Sequence, residues 1–505
     1  MAEKEELMEI EIDGKKMRVK VPKGLPLPLW EKTTVVGKRV NRYDGFEKVT
    51  GRAKYAYDIH PEGMLYGRLL TSPYPRAKIV SIDTSKAEAL PGVRAVITHK
   101  DAPGIKVGSP RFGFMELFPE TPGHVGAMVA AVAAVNEHIA EDALELIDVK
   151  YEPLPWVLEP EKAMKPDAPK LMPSGNVIGF TFPPLGPPKF GEPWVYTRGD
   201  IDKGFAEADV ILEGTYTTDP QQHACLEWHG SVAWWEGDKL IIWRSTQRCH
   251  EDQLDSARAL KLPQSKIRVI APFMGGGFGS KSTPDPYDAV VAALLAKKAG
   301  APVKLFLTRK EDYVSPFYRP GTIQHIKMGA KKDGTLTAIY LKTIDQIGAY
   351  PMQLIWGGCG APARELHKCP NVKTEEYVIL TNTPHPNPMR GPNFTQGTWA
   401  LEIALDELAE KLNMDPLELR MKNYAELDQV SGKPYASKGL KECMELAAKE
   451  FGWEKRSAKG GTADKGPKKR GMGMAAHIWL GGGFGIGRAV VKMNFDGSVN
   501  LLTGA

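Results

Sequence analysis

The sequence is short of cysteine, and the cysteines it has are not spaced for metal chemistry. There are five, Cys225, Cys249, Cys359, Cys369 and Cys443, with no CxxC pair. An odd count without such pairs argues against a disulfide framework, a zinc site and an iron–sulfur cluster on this chain. Any redox metal has to arrive by another route. Long apolar runs are missing too. The best, Gly126–Val135 (GAMVAAVAAV), is about half of the roughly 18–20 residues a membrane helix needs. The opening MAEKEELMEIEIDG lacks the basic start and apolar run of a secretory signal. A cytoplasmic protein is therefore expected, with export inside a folded complex left open. Charge of one sign is scarce: 66 basic residues face 61 acidic ones, for a net +5. That balance is too small and too dispersed to point to nucleic acid.

What the sequence has in excess is glycine and proline. The 51 glycines and 40 prolines in 505 residues are about 18%, against roughly 12% in average proteins. Many loops follow, and loops are where sites are built. Hydrophobic residues at 42% leave ample core material, and the length suits three or four domains.

Met8–Val21 alternates apolar residues on both sides of Asp13-Gly14, a hairpin signal. Residues 1–30 therefore read as a small hairpin extension and linker. Over 45–155, strand and helix patterns alternate as in an α+β domain. KVTGRAKYAYDI (Lys48–Ile59) and KIVSIDTS (Lys78–Ser85) read as strands, and Val125–Val149 runs from alanine-rich helix into strand. Residues 156–195 read as a Pro/Gly connector wrapped across the surface. From about Tyr196 strands and helices alternate again, with strands either side of Gly237-Asp238. Leu401, Leu405, Leu408 and Leu412 predict a helix over about Trp399–Leu412. Asp415-Pro416 is an N-cap and N1 pair for the next helix. Ser457–Arg470 is a Lys/Gly-rich linker, and no fixed-period repeat is visible.

The most informative segment is Ile267–Gly300, in which a strand runs into Gly275-Gly276-Gly277-Phe278-Gly279 and then Ser280-Lys281-Ser282. Thr283 and Pro284 are placed to cap and start a helix that ends at Gly300. Consecutive glycines let backbone N–H groups face a ligand closely, and the helix start adds a positive dipole end. A cradle for phosphate or for the oxygens of a metal centre is one reading. A nucleotide P-loop is a second, although the glycine before lysine is missing; GxGxxG fails because position 280 is serine. A tight turn without a ligand is the third.

Five segments in order resemble one family. They are Lys48–Ile59, Thr71–Thr98, HACLEWHGSVAWWEGDKLIIWRSTQ (His223–Gln247), MGGGFGSK (Met274–Lys281) and TNTPHPNPMRGPNFTQGTWALEIALDELAEKLNMDPLELRMKN (Thr381–Asn423). Together they resemble the molybdopterin-binding large subunit of the xanthine dehydrogenase and aldehyde oxidoreductase family, over roughly residues 37–505. Gly432–Arg456 resembles its bacterial aldehyde and aromatic-aldehyde branch. The resemblance implies an α+β chain: an α/β hammerhead domain at 45–155, then the first half of a mixed α/β molybdenum-cofactor-binding module at 196–456. Residues 457–505 would be a linker and the start of the second half. It implies a molybdenum–molybdopterin cofactor in its cytosine dinucleotide form. It implies hydroxylation of an aldehyde or an aromatic or heteroaromatic substrate, with oxygen from water. Electrons would leave to a 2Fe-2S small subunit and an FAD-binding medium subunit.

The resemblance also implies residue roles. Gln247, closing STQ, would hydrogen-bond an oxo ligand of the metal, and a neutral amide can donate without adding charge. Gly276, Gly277, Phe278 and Gly279 would face the metal through backbone N–H groups. Arg390, in PMRG, would sit beside metal and pterin with its planar donor fork. Thr395 and Gln396 would reach the pterin side. No direct protein ligand to molybdenum is expected. Ser282, Tyr350, Trp356 and Met389 would line the substrate pocket. His223, Glu227 and His229 form an HxxxExH cluster that is not a ligand set in the family. Trp234, Trp235 and Trp243 read as core.

The sequence departs from the family in places. Ser282 stands where purine-oxidising members carry a substrate-binding glutamate, and Pro392-Asn393 where they carry a stacking aromatic, so a purine is disfavoured. Gly481–Gly487 echoes the glycine loop but matches no family motif. The second glycine motif of the family and its late general-base glutamate are absent from these residues. A module split over two polypeptides ranks first, ahead of truncation and of decay; a second polypeptide is then an expected partner. The opening hairpin resembles that of the family's iron–sulfur subunits without the cluster cysteines, as in a fusion remnant. The alternatives are a dehydroxylating reductase like those acting on hydroxybenzoyl-CoA, a non-catalytic half-subunit, and a P-loop nucleotidase.

Overall fold

The computed structural model describes residues 5–12, 15–22 and 38–503, except 111–112, 179–190, 283–284, 315–317, 351–357, 436–437, 457–466, 469–470 and 480–488. The chain divides into two units, Met1–Lys54 and Tyr55–Ala505. The first carries the expected hairpin, Glu5–Ile12 antiparallel to Lys15–Pro22. Its Asp13-Gly14 turn lies outside the described residues. The strand expected over Lys48–Ile59 does not form. Gly45–Val49 is a short helix and Ala56–Asp58 a 3-10 turn. Asp58 accepts the N–H of Tyr55 at 3.0 Å, and this local side-chain bond competes with any strand ladder.

The second unit is built on two sheets. The seven-stranded sheet runs, edge to edge, Ile267–Ile270, Lys239–Arg244, Gly230–Glu236, Val303–Phe306, Leu65–Thr71, Met128–Ala134 and Val93–Thr98. The regions read from sequence as 45–155 and 196–456 thus share one sheet, through parallel pairing of Leu65–Gly67 with Val303–Leu305. Met128–Ala134 corrects the helix expected from its alanines. It is a strand whose seven residues are all buried. The helices Glu137–Glu145 and Tyr287–Ala299 both pack on it, so both faces are covered and small side chains let them approach. Tertiary packing overrides alanine's helix propensity here.

Helix Tyr287–Ala299 buries Val290, Val291 and Leu295 against Leu240, Ile242 and Leu305. It ends at Gly300 (φ +65°), as expected, but starts after Pro286 rather than at 284. Thr283 and Pro284 lie outside the described residues.

The six-stranded sheet contains Val177–Ile178, Asn371–Ile379, Leu336–Gln346, Thr322–Ala330 and Val210–Thr218, with Trp194–Arg198 also paired to Asn371–Ile379. The Pro/Gly connector therefore supplies edge strands to this sheet. The long helix on the sheet spans Phe394–Leu412, five residues earlier than the leucine stripe shows. Its first turn, Phe-Thr-Gln-Gly, carries no stripe; Asn393, at φ +62°, marks the break. Leu401, Leu405 and Leu408 are fully buried against Ile326, Ile339 and Leu341. Asp415 Oδ1 accepts from the N–H groups of Leu417 and Glu418, the cap expected for Pro416–Lys422.

Glu402, buried midway along the long helix, ties its surroundings together. It accepts from His367 Nε2 (2.6 Å), Arg420 Nε (2.7 Å) and the N–H of Ala476 (2.7 Å). Burial pushes its carboxyl up, but His367, Arg420 and Ala476 outweigh it and leave the pKa at about 2, below the ordinary 4.5. A depressed carboxylate stabilises the fold above pH 4.5 and loses that contribution as pH falls toward 2. The loss is about 3 kcal/mol. Urea unfolding measured from pH 5 to pH 2 should show this slope in the native protein and a flatter one in Glu402→Gln.

Candidate functional site

The strand Lys239–Arg244 delivers Ser245, Thr246 and Gln247 to the end of the seven-stranded sheet. The neighbouring strand Ile267–Ile270 delivers the glycine turn beside them. Arg244 anchors this end from below. Buried with Asp252 and Asp288, it donates Nη1 to Asp252 at 2.6 Å and Nη2 to Asp288 at 2.7 Å.

The turn is shaped by what it lacks. Gly276 and Gly279 have φ of +101° and +112°, and Phe278 itself sits at +55°. A Cβ on Gly277 would lie 2.4 Å from Gln247 Oε1, and one on Gly279 would lie 2.1 Å from the carbonyl oxygen of Pro388. At Gly279 glycine is thus required by close approach to backbone as well as by dihedral, while at Gly277 a side chain would displace Gln247. Glu227 fixes the start of the turn: its Oε2 accepts from the N–H of Gly275 and from Ser245 Oγ, each at 2.6 Å. Lys281, fully buried, donates Nζ to the Glu227 carbonyl at 2.9 Å and lies 3.6 Å from its carboxylate. Burial lowers its pKa, against the opposing charge of Glu227. A P-loop lysine has to reach phosphate; this amine is committed to Glu227.

A second loop, Pro388–Gly391, closes over the turn. The N–H of Arg390 donates to the Phe278 carbonyl at 2.8 Å, and His223 Nε2 lies 2.8 Å from the Pro388 carbonyl. Arg319 holds this loop from inside. Its Nη2 donates to the carbonyls of Met389 (2.7 Å) and Arg390 (2.8 Å), and its Nη1 to Gln396 Oε1 (2.8 Å). Deeper still, His385 Nε2 and Asp285 Oδ2 meet at 2.9 Å and join the two loops where both are fully buried.

Three kinds of donor are left over at the surface. Gln247 is exposed, and its Oε1 accepts the N–H of Gly279 at 3.0 Å, which orients its NH2 outward. The N–H groups of Gly276, Gly277 and Phe278 have no hydrogen-bond partner among the described residues. The exposed Arg390 guanidinium has neither hydrogen bond nor ion pair among them. A neutral amide, three backbone donors and one cation around a turn with a single side chain, Phe278, fit an anionic, oxygen-rich group such as an oxo-metal centre with its pterin.

The structure therefore brings Gln247, Gly276, Gly277, Phe278, Gly279 and Arg390 to one place. Met389 belongs to the same loop, and Thr395 and Gln396 to the first turn of the helix that follows it. The Gln396 side chain lies between Arg319 and the Pro320 carbonyl, and Thr395 Oγ1 donates to the Gly391 carbonyl at 3.0 Å. Ser282 Oγ donates to the Gly279 carbonyl at 2.7 Å. Tyr350 makes its contacts elsewhere: its hydroxyl accepts the N–H of Gly123, its ring meets His124 edge-on, and it lines a cavity of about 770 Å³ with Phe118 and Pro119. Trp356 and Gly481–Gly487 lie outside the described residues. Trp234, Trp235 and Trp243 are half-buried, with Trp235 Nε1 donating to the Ala293 carbonyl. Each member of the HxxxExH cluster has its own partner, and among the described residues no three His, Cys, Asp or Glu groups assemble for a metal.

Sequence reasoning missed Arg319, Asp285, His385 and His477. His477 Nδ1 lies 2.9 Å from Thr398 Oγ1, and its Nε2 is 3.4 Å from where a Cβ on Gly391 would stand. No spacing rule links residues so far apart in the chain.

Comparison with known proteins identifies the family. The family model described as molybdopterin cofactor-binding domain matches residues 186–424, and that for the aldehyde oxidase and xanthine dehydrogenase a/b hammerhead domain matches 50–155. The chain belongs to the xanthine dehydrogenase and aldehyde oxidoreductase family of molybdopterin-binding proteins. It is 34% identical to the aldehyde oxidoreductase molybdenum-binding subunit PaoC of Escherichia coli (strain K12), over 88% of this chain and 58% of that protein. It is 31% identical to the nicotinate dehydrogenase large molybdopterin subunit of Eubacterium barkeri, over 77% of this chain and 89% of that one. The structure of quinoline 2-oxidoreductase from Pseudomonas putida 86 aligns with a TM-score of 0.74 at 28% identity, over 83% of this chain and 54% of that one. The chain thus spans little more than half the length of several relatives it matches. Among the described residues no helix is long and apolar enough to cross a membrane.

Proposed function

We propose that this chain holds one side of a molybdenum–molybdopterin cofactor, in its cytosine dinucleotide form, in an enzyme that hydroxylates an aldehyde or an aromatic or heteroaromatic substrate. The observation that carries the reading is the set of uncommitted donors around the glycine turn: Gln247, the three N–H groups and Arg390. The cofactor supplies the two-electron redox chemistry when bound. The residues of this chain hold and orient it. Gln247 donates a neutral hydrogen bond, Arg390 offsets negative charge, and the glycine turn admits the group at backbone distance. Phe278, half-exposed, gives the turn an apolar wall. Ser282, bonded to its own turn, offers no carboxylate to a purine, which argues against a purine substrate.

Electrons are proposed to leave through a 2Fe-2S small subunit and an FAD-binding subunit, and a second polypeptide to complete the module. Two observations support that last partner. The Eubacterium subunit, itself called a molybdopterin subunit, is covered over most of its length. The ribbon Ala489–Met493 with Val499–Thr503 is exposed on both faces, including Val490, Val491, Met493, Leu501 and Leu502. A bare two-stranded ribbon is marginal alone. A cytoplasmic complex is the setting proposed.

The test is co-expression with neighbouring genes and measurement of molybdenum and pterin per chain. Loading in a complex with a second chain is expected. Absence under every combination would refute the reading, and reduction of an aryl CoA ester instead of oxidation would favour the dehydroxylating enzyme. Arg390→Ala should lower bound pterin about tenfold to a hundredfold, the range for a lost charge-assisted contact.

A further inference from the structure

Behind the glycine turn lies a buried chain of hydrogen bonds with one proton to share. Asp312 Oδ1 is 2.5 Å from His229 Nδ1, His229 Nε2 is 2.9 Å from Ser280 Oγ, and Ser280 Oγ is 2.8 Å from the Gly277 carbonyl oxygen. Cys225 Sγ lies 3.6 Å from that carbonyl and 3.5 Å from Ser280 Oγ. All four side chains are buried.

Ser280 has a single hydroxyl hydrogen. When His229 is neutral and its Nδ1–H is on Asp312, Nε2 is an acceptor and takes the Ser280 hydrogen. The Gly277 carbonyl then keeps the backbone N–H of Ser280 at 2.9 Å and the weak thiol donor of Cys225, but loses the hydroxyl. When His229 is doubly protonated, both nitrogens donate, and Ser280 turns its hydrogen to Gly277. That carbonyl belongs to the same peptide plane as the N–H of Phe278, and in a trans peptide the two point in opposite directions. Holding the carbonyl from behind therefore aims the Phe278 N–H forward, at the open side of the turn.

We propose that Ser280 is a positioning residue whose hold on the glycine turn is switched by one proton on His229. The groups around the imidazole set where the switch lies. Asp312, itself held by Arg309, favours the doubly protonated ring, as does Asp288, which is paired with Arg244. Burial opposes it most strongly, and Lys281, beside Glu227, opposes it as well; Cys225 remains a thiol because burial raises its pKa. The ring therefore titrates below the ordinary histidine value of 6.5. The turn is held tightly below that point and relaxes as pH rises through it. The bearing on the cofactor rests on the function proposed above, but the switch does not.

The test is hydrogen–deuterium exchange of the Gly275–Lys281 segment from pH 4 to 8, in the full chain with its partners, corrected for intrinsic exchange. Protection in the native protein should fall about fivefold as pH rises through the transition, the factor for one net hydrogen bond. Ser280→Ala and His229→Gln should abolish the step. Cys225→Ser, which offers the carbonyl a second hydroxyl beside the Ser280 N–H at every pH, should shrink it. No step in the native protein, or the same step in Ser280→Ala, overturns the proposal. A preparation without molybdenum that still shows the step supports the switch and counts against the cofactor reading; a loaded one without it does the reverse.

Discussion

Gly279→Ala is expected to strip the protein of its cofactor while leaving the two sheets folded. At φ +112°, an L side chain alone costs roughly 1–3 kcal/mol. The added Cβ would also stand 2.1 Å from the Pro388 carbonyl oxygen and 2.7 Å from its carbon. Those are backbone atoms, so no side chain can swing away. Pro388 is held in turn by His223, and Arg390 by its bond to Phe278. The loops must part, and with them the Arg390 guanidinium leaves the turn. Pterin content should fall about tenfold or more. Gly439→Ala, where a Cβ meets nothing within 4 Å and φ is −109°, is the neutral comparison. Equal pterin loading in the two variants would refute the steric argument.

Arg244→Met should cost about 3–5 kcal/mol of stability, the range for breaking a buried ion pair from one side. Methionine fills the space but leaves Asp252 and Asp288 facing each other, each about 1% exposed. The melting temperature should drop sharply, and adding Asp252→Asn with Asp288→Asn should recover part of it. A charge-only origin predicts that recovery; a purely steric one predicts none. Ser245–Gln247 follow Arg244 directly, so cofactor loading should fall with it.

Local signals in the sequence were legible where chemistry is local. The Asp415 cap, the Gly300 stop, the strands around Gly237-Asp238 and the glycine turn all depend on neighbours in the chain. The alanine strand was not legible, because only coverage on both faces makes alanine a strand residue there. The start of Phe394–Leu412 was hidden because its first turn faces loops rather than the apolar sheet. At the candidate site, Gln247, Gly276–Gly279 and Arg390 could be read through the resemblance. The groups that fix their geometry could not. Arg319 acts through carbonyls some 70 residues away, and Asp285 meets His385 across 100 positions. Such partners carry no periodicity, and many residue types could fill them.

The parallel seam between Leu65–Gly67 and Val303–Leu305 has a consequence for how this protein forms. It closes a loop of some 240 residues, which makes the central sheet a product of distant rather than local encounters. Such topologies fold slowly, because the entropy of closure is lost before the contacts repay it. The strand Gly230–Glu236 and its neighbours emerge from synthesis long after Leu65–Thr71 but must wait for Val303–Phe306 to bridge them. Until that bridge is made, the two blocks carry raw edges that invite association with other chains. Insertion of the proposed cofactor, which would need Gln247 and the glycine turn at the far end of the same sheet, would accordingly be a late event in maturation.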